Sequence, residues 1–184
     1  MHPLFAFLVV GVLGCLATQV PARIQDNTDD LFCPEIPAHV RDAAQAGDPD
    51  AQFSIGLSLT DGLCGWKEAF IRDGLRWLER ASKQDHPQAA ARLAVIYEEG
   101  ILIAESPQKA VQFYEIAAGG GHVPSQNRLG LLLVSSAKTL TQQEQGLFWL
   151  VAAADQGEGT AAAMIGLFHA RGLHGVMRDD CLAL

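Results

Sequence analysis

The chain repeats itself at a fixed step. Ala89-Ala90-Ala91-Arg92-Leu93-Ala94, Ser125-Gln126-Asn127-Arg128-Leu129-Gly130 and Ala161-Ala162-Ala163-Met164-Ile165-Gly166 begin 36 residues apart, and Ala51-Gln52-Phe53-Ser54-Ile55-Gly56 precedes the first by 38. Trp77-Leu78-Glu79-Arg80-Ala81, Phe113-Tyr114-Glu115-Ile116-Ala117 and Trp149-Leu150-Val151-Ala152-Ala153 keep the same 36-residue step. A period of this length means stacked supersecondary units, each unable to bury its apolar face alone. Stacking of this kind presents an extended surface, which favours binding over enclosed catalysis.

Within a unit the pattern reads helix, loop, helix, turn. Ala89, Leu93 and Tyr97 are four apart and form one apolar stripe. Pro87 suits the first helical position, with His86 as its cap, and Gly100 ends the helix. Ser106-Pro107 starts the second helix, whose Ala110, Phe113, Tyr114 and Ala117 face inward. In the following unit Thr141 and Glu144 have the form of a capping box. The fold class expected is all-α, a right-handed α/α superhelix of antiparallel helix pairs.

The organisation expected is a capping helix at 36–46, then repeats at 47–84, 85–120, 121–156 and 157–184, the last cut short. The two extra residues of the first repeat fall in its loop, Asp61 to Phe70. Ahead of the cap lie a polar linker at 23–35 and a separate segment at 1–22. There, Leu4 to Leu16 is an almost unbroken apolar run of thirteen. That suits the core of a signal peptide and is short for a spanning helix. The expectation is export to the periplasm or beyond, although Met1-His2-Pro3 lacks the usual positive charge. Val12-Leu13-Gly14-Cys15 offers the alternative of a lipoprotein anchored at Cys15.

Removal of Cys15 leaves Cys33, Cys64 and Cys181. Free, partly buried thiols are the default expectation. Cys33–Cys64 is the pair to bridge if any does, since both lie near the first repeat and an oxidising compartment permits it. No Cys-x-x-Cys spacing points to zinc or thiol redox chemistry.

Other chemistry is equally unsupported. A net charge of −8 without a Lys/Arg cluster gives no nucleic-acid footprint. Gly119-Gly120-Gly121 has no following Gly-Lys-Ser/Thr, and no Gly-x-Ser-x-Gly or His-Glu-x-x-His occurs. His86 and His122 recur one repeat apart, and His169 reads as a packing residue in the slot of Tyr97. Trp77, Phe113 and Trp149 recur at the repeat step and read as core. No catalytic residue, metal site or cofactor is assigned.

Gly121-His122, Ser125, Leu129-Gly130, Trp149, Ala153 and Gly157 together resemble the Sel1-like repeat family, as do Tyr97, Gly100, Lys109-Ala110 and Ala117-Ala118. The resemblance covers residues 36 to 184. The 36-residue step separates it from the 34-residue tetratricopeptide repeat. It implies a helical solenoid that binds another protein, in the bacterial cell envelope for exported members. Immunity to toxins or a virulence-associated role is within that range, and a weak β-lactam hydrolase is the enzymatic rival. In such solenoids the first helices line the concave side. The polar residues expected there are Gln52, Arg92, Gln126 and Arg128, named here as candidate partner contacts.

Overall fold

The computed structural model of the 184-residue chain describes residue 33 and residues 36–170. Among them run eight helices and no strand: α1 (Ala38–Ala46), α2 (Pro49–Thr60), α3 (Glu68–Ser82), α4 (Pro87–Glu99), α5 (Pro107–Gly119), α6 (Val123–Ser136), α7 (Leu140–Ala154) and α8 (Gly159–Ala170). All lie in the unit spanning residues 33–184. The segment at 1–22 with Cys15, the linker at 23–35 apart from Cys33, and the chain after Ala170 with Cys181 fall outside the described residues.

Local chemistry sets most helix ends. The Asp48 carboxylate accepts from the N–H groups of Asp50 at 2.9 Å and Ala51 at 3.3 Å, and Pro49 opens α2. His86 Nδ1 accepts from the Ala89 N–H at 3.2 Å and Pro87 opens α4. Gly47 and Gly100 end α1 and α4 in the left-handed region, with φ of +105° and +63°. Two helix starts use other groups. The Ser106 hydroxyl makes no capping bond; instead its N–H donates to the Tyr97 carbonyl at 2.8 Å. The box read at Thr141 and Glu144 sits two residues earlier. Thr139 Oγ1 accepts from the Gln142 N–H at 3.3 Å, and Gln142 Oε1 accepts from the Lys138 N–H at 2.8 Å. The earlier pair wins because α7 already begins at Leu140.

Each helix packs on the next. The pairs α2/α3, α4/α5 and α6/α7 form the repeats, while α1/α2, α3/α4, α5/α6 and α7/α8 join them. The capping helix α1 covers α2 and buries Ala44. Leu78, Leu93, Ile96, Leu129 and Leu150 are fully buried. Each contributes about 1.5–3 kcal/mol of apolar burial. Ala89, Leu93 and Tyr97 form the buried stripe of α4, and the Tyr97 ring stacks on Phe113 at 5.6 Å.

Small residues let the paired helices approach. A Cβ on Gly130 would lie 2.7 Å from Leu150 Cγ and 2.8 Å from the Gly146 carbonyl oxygen. On Gly56 it would lie 2.7 Å from Leu78 Cγ. The middle repeat puts Ala94 and Ala110 at the same crossing, both buried. Gly166 holds this register in α8, where a Cβ would meet nothing within 4 Å. His169, placed by the repeat in the Tyr97 slot, is exposed instead.

Cys33 and Cys64 are joined by a disulfide across 31 residues, with Cα atoms 5.5 Å apart. This replaces the default expectation of free thiols at both positions. Cys33 meets the enlarged α2–α3 loop at Cys64, with the Cα atoms within bridging range. Cys33 is buried, and its carbonyl accepts from the Ile36 N–H at 3.2 Å.

Two stability predictions follow from this packing. Gly130→Ala costs about 1–3 kcal/mol by overpacking, whereas Gly166→Ala stabilises α8 by up to about 1 kcal/mol; urea unfolding followed by circular dichroism reads both. Reduction of the disulfide, or Cys64→Ser, lowers stability by roughly 3–4 kcal/mol through the freed loop; melts with and without reductant check it.

Candidate functional site

The inner row of polar side chains was the candidate surface. The structure reassigns half of it to the scaffold. Gln52 is buried, and its Nε2 donates to the Ala44 carbonyl at 3.1 Å while its Oε1 accepts from Gln84 Nε2 at 2.9 Å. Gln126 repeats this geometry. It donates to the Ala118 carbonyl at 3.1 Å and accepts from Gln156 at 2.7 Å. Each glutamine thus ties the preceding helix, its own helix and the following turn. Neither is a partner contact, because both ends of the amide are already satisfied away from solvent.

Sequence reasoning missed Gln84 and Gln156, and the signal was available. Where Gln52 and Gln126 stand in the first and third repeats, the second has Ala90; where Gln84 and Gln156 stand, it has Gly120. Ala90, Ala91 and Ala117 close that position as an apolar cluster, and a Cβ on Gly120 would lie 2.6 Å from Pro87 Cγ. The polar clamp is present whole or absent whole.

Arg92 and Arg128 stay partly exposed, with 30% and 48% of the side chain accessible, but their charges are engaged. Arg92 Nη2 pairs with Asp61 at the end of α2. Arg128 forks onto Glu98 near the end of α4. Its Nε donates to Oε1 at 2.8 Å and Oε2 at 3.1 Å, and its Nη2 also donates to Oε1. Tyr114 donates its hydroxyl to Glu98 Oε2 at 2.7 Å. The two pairs are one repeat apart and bridge successive first helices. Partly exposed pairs of this kind contribute about 0.2–1 kcal/mol each, so their main effect is to set stagger. At the equivalent position α8 carries Met164, and the ladder stops.

The electrostatics are those of a structural cluster. Burial pushes the Glu98 carboxyl up, but the hydrogen bonds from Arg128 and Tyr114 and the Arg128 charge outweigh it, leaving it below its ordinary value. Burial, reinforced by the Glu98 carboxylate, pushes the Tyr114 phenol up. Hydrogen bonds to Glu98 hold Arg128 above its usual value. None of these shifts brings a proton donor or acceptor towards neutral pH.

The two turn histidines have separate duties. His86 caps α4 through Nδ1, so its proton sits on Nε2 and is donated to Asp50 Oδ1 at 3.1 Å; the ring lies 4.8 Å from Phe53. His122 Nδ1 bonds Ser125 Oγ at 2.8 Å, and burial lowers its pKa. Among the described residues, no three His, Cys, Asp or Glu side chains are grouped to hold a metal ion. No described helix is long and apolar enough to cross a membrane.

Paired helices at a fixed step, joined by recurring polar ties, define an α/α solenoid repeat protein. The Sel1 repeat family matches residues 49–86, 87–122, 123–158 and 159–184, and the chain belongs to that family. Solved structures agree. A Sel1 repeat protein from Oxalobacter formigenes is similar, with a TM-score of 0.61 and 25% identity over 70% of this chain and 95% of that one. A protective antigen of uropathogenic Escherichia coli with an SLR fold gives 0.59 and 26% identity, over 72% of this chain and 28% of the antigen. By sequence, the chain is 30% identical over 141 residues to chitin synthase regulatory factor 3 of Schizosaccharomyces pombe. It is 32% identical over 133 residues to chitin synthase regulator SKT5 of Saccharomyces cerevisiae. These alignments cover 73% and 68% of this chain but only 15% and 19% of the yeast proteins. Sel1 repeats mediate protein–protein interaction in general.

The Glu98 cluster predicts a pH dependence. A carboxylate held below its ordinary pKa in the fold contributes stability that is fully present above about 4.5 and is lost as pH falls through the lower folded value. The stability advantage of the native chain over Glu98→Gln therefore shrinks on acidification below that pH, as paired urea melts from pH 7 to pH 3 would record.

Proposed function

We propose that this chain is a non-catalytic adaptor that binds another protein and regulates it by assembly. The observation that carries the reading is the run of four Sel1 repeats over residues 49–184. The pairing of Arg92 with Asp61, and of Arg128 and Tyr114 with Glu98, supports it, since these groups hold repeats together. The regulatory names of the two yeast relatives point the same way, although the chain corresponds to less than a fifth of either.

The place of action proposed is outside the cytoplasm, on the strength of the apolar run Leu4 to Leu16. The Cys33–Cys64 disulfide is consistent with an oxidising compartment.

Affinity capture by the full chain from an envelope extract of the source cell, followed by mass spectrometry, tests this. A stoichiometric protein partner is expected, together with no turnover of a chromogenic β-lactam by the purified chain. Turnover at an enzymatic rate would overturn the adaptor reading in favour of the hydrolase.

A further inference from the structure

The helix α8 is apolar on every side. It carries no Asp, Glu, Lys or Arg, whereas α2, α4 and α6, the first helices of the other repeats, each carry at least one. A helix without a charged face belongs in a protein interior. One side of α8 meets this: Ala161 is buried, and Ile165 and Phe168 pack with it against Leu147, Leu150 and Ala153 of α7. The other side does not. Ala162, Ala163, Gly166, Leu167, His169 and Ala170 are exposed, Leu167 by 39%.

The other repeats show what this face is shaped for. The equivalents of Gly166 are Gly56, Ala94 and Gly130, all buried where the second helix of the pair crosses. In the first and third repeats a leucine of that helix lies over the glycine. A Cβ on Gly56 would lie 2.7 Å from Leu78 Cγ, and one on Gly130 2.7 Å from Leu150 Cγ, whereas one on Gly166 would meet nothing within 4 Å. The crossing helix must itself be small at this point. Gly74, Ala110 and Gly146 stand there, and a Cβ on Gly74 or Gly146 would lie 2.8 or 2.6 Å from its nearest neighbour. The 36-residue step puts Leu182 at that position, so the following segment of this chain does not supply the residue that the crossing requires.

A second α8 does supply it. Gly166 and Leu167 are adjacent on the bare face, with Ala163 and Ala170 about one turn to either side. A two-fold axis between Gly166 and Leu167 pairs two α8 helices antiparallel, the direction in which α2/α3, α4/α5 and α6/α7 pair within the chain. Leu167 of each copy then lies over Gly166 of the other, and Ala163 faces Ala170. The leucine-over-glycine contact that closes the first and third repeats is made twice. No carboxylate, ammonium or guanidinium of α8 is desolvated by this contact, since the helix has none. An isologous contact closes after two copies and continues no further.

We propose that α8 is a self-association face, and that two copies of this chain pair across it with Leu167 of each over Gly166 of the other. The dimer offers two copies of any partner-binding surface and so gains avidity, but the pairing does not rest on the adaptor reading. One helix face is small beside the roughly 1,600 Å² of a standard interface, so the association is a weak one. Sedimentation equilibrium of the full chain, from micromolar to submillimolar concentration, tests it. The expected result is a mass that rises from monomer to dimer and no further. Leu167→Arg abolishes the rise. Gly166→Ala raises the dimer Kd about tenfold or more, because two added methyl groups overpack the crossing, while the dilute monomer becomes no less stable in urea. Phe148→Ser, at an exposed apolar residue of α7, leaves the Kd unchanged. Circular dichroism confirms that each variant folds, as expected for exposed positions. A monomer mass at every concentration overturns the proposal, and is the result if residues 171–184 cover α8 themselves. Self-association that Leu167→Arg leaves intact, growth beyond the dimer, or a dimer tightened by Gly166→Ala overturns it equally.

Discussion

The close crossing of each helix pair is the constraint on which the rest of the structure depends. At Gly56, Gly130 and Gly146 there is no room for a Cβ, and at Ala94 and Ala110 there is room for little more than one. Small residues at this point let Leu78 and Leu150 reach full burial against the opposite helix. Because each repeat buries its apolar face only through this contact and the next stacked unit, stability is distributed along the chain one interface at a time.

Polar groups refine what the crossing makes possible. The Gln52–Gln84 and Gln126–Gln156 clamps satisfy carbonyls of Ala44 and Ala118 at the ends of the preceding helices. In the middle repeat the clamp positions are Ala90 and Gly120, and the equivalent Ser82 carbonyl accepts from the Asp85 N–H at 3.0 Å. The arginine–carboxylate ladder works between first helices and ends where Met164 replaces arginine. These groups look functional on a one-dimensional reading because they recur. In three dimensions their recurrence is that of the scaffold.

That distinction explains how much of the site was legible. The stripe Ala89, Leu93, Tyr97 could be read directly, since residues four apart share a helix face. The face that a neighbouring repeat covers could not, so Gln52 and Gln126 were placed in solvent when they are buried. The cap of α7 was misplaced because Thr139 and Thr141 offer the same hydroxyl, and only the backbone path at Leu140 chooses between them. The exposure of Leu63, Trp66 and Ile101 was invisible, since loops carry no period that reports which apolar residues remain outside.

The sequence by itself determined the fold class, the helix pairs and the repeat step, because these depend on local helix chemistry and on small residues recurring at one register. The tertiary structure decided which recurring polar residues are consumed by stacking, that Cys33 and Cys64 meet, and which apolar face is left uncovered. Each of those depends on contacts between residues about thirty or more positions apart, where the path of the intervening loop and the packing of the next repeat set the outcome.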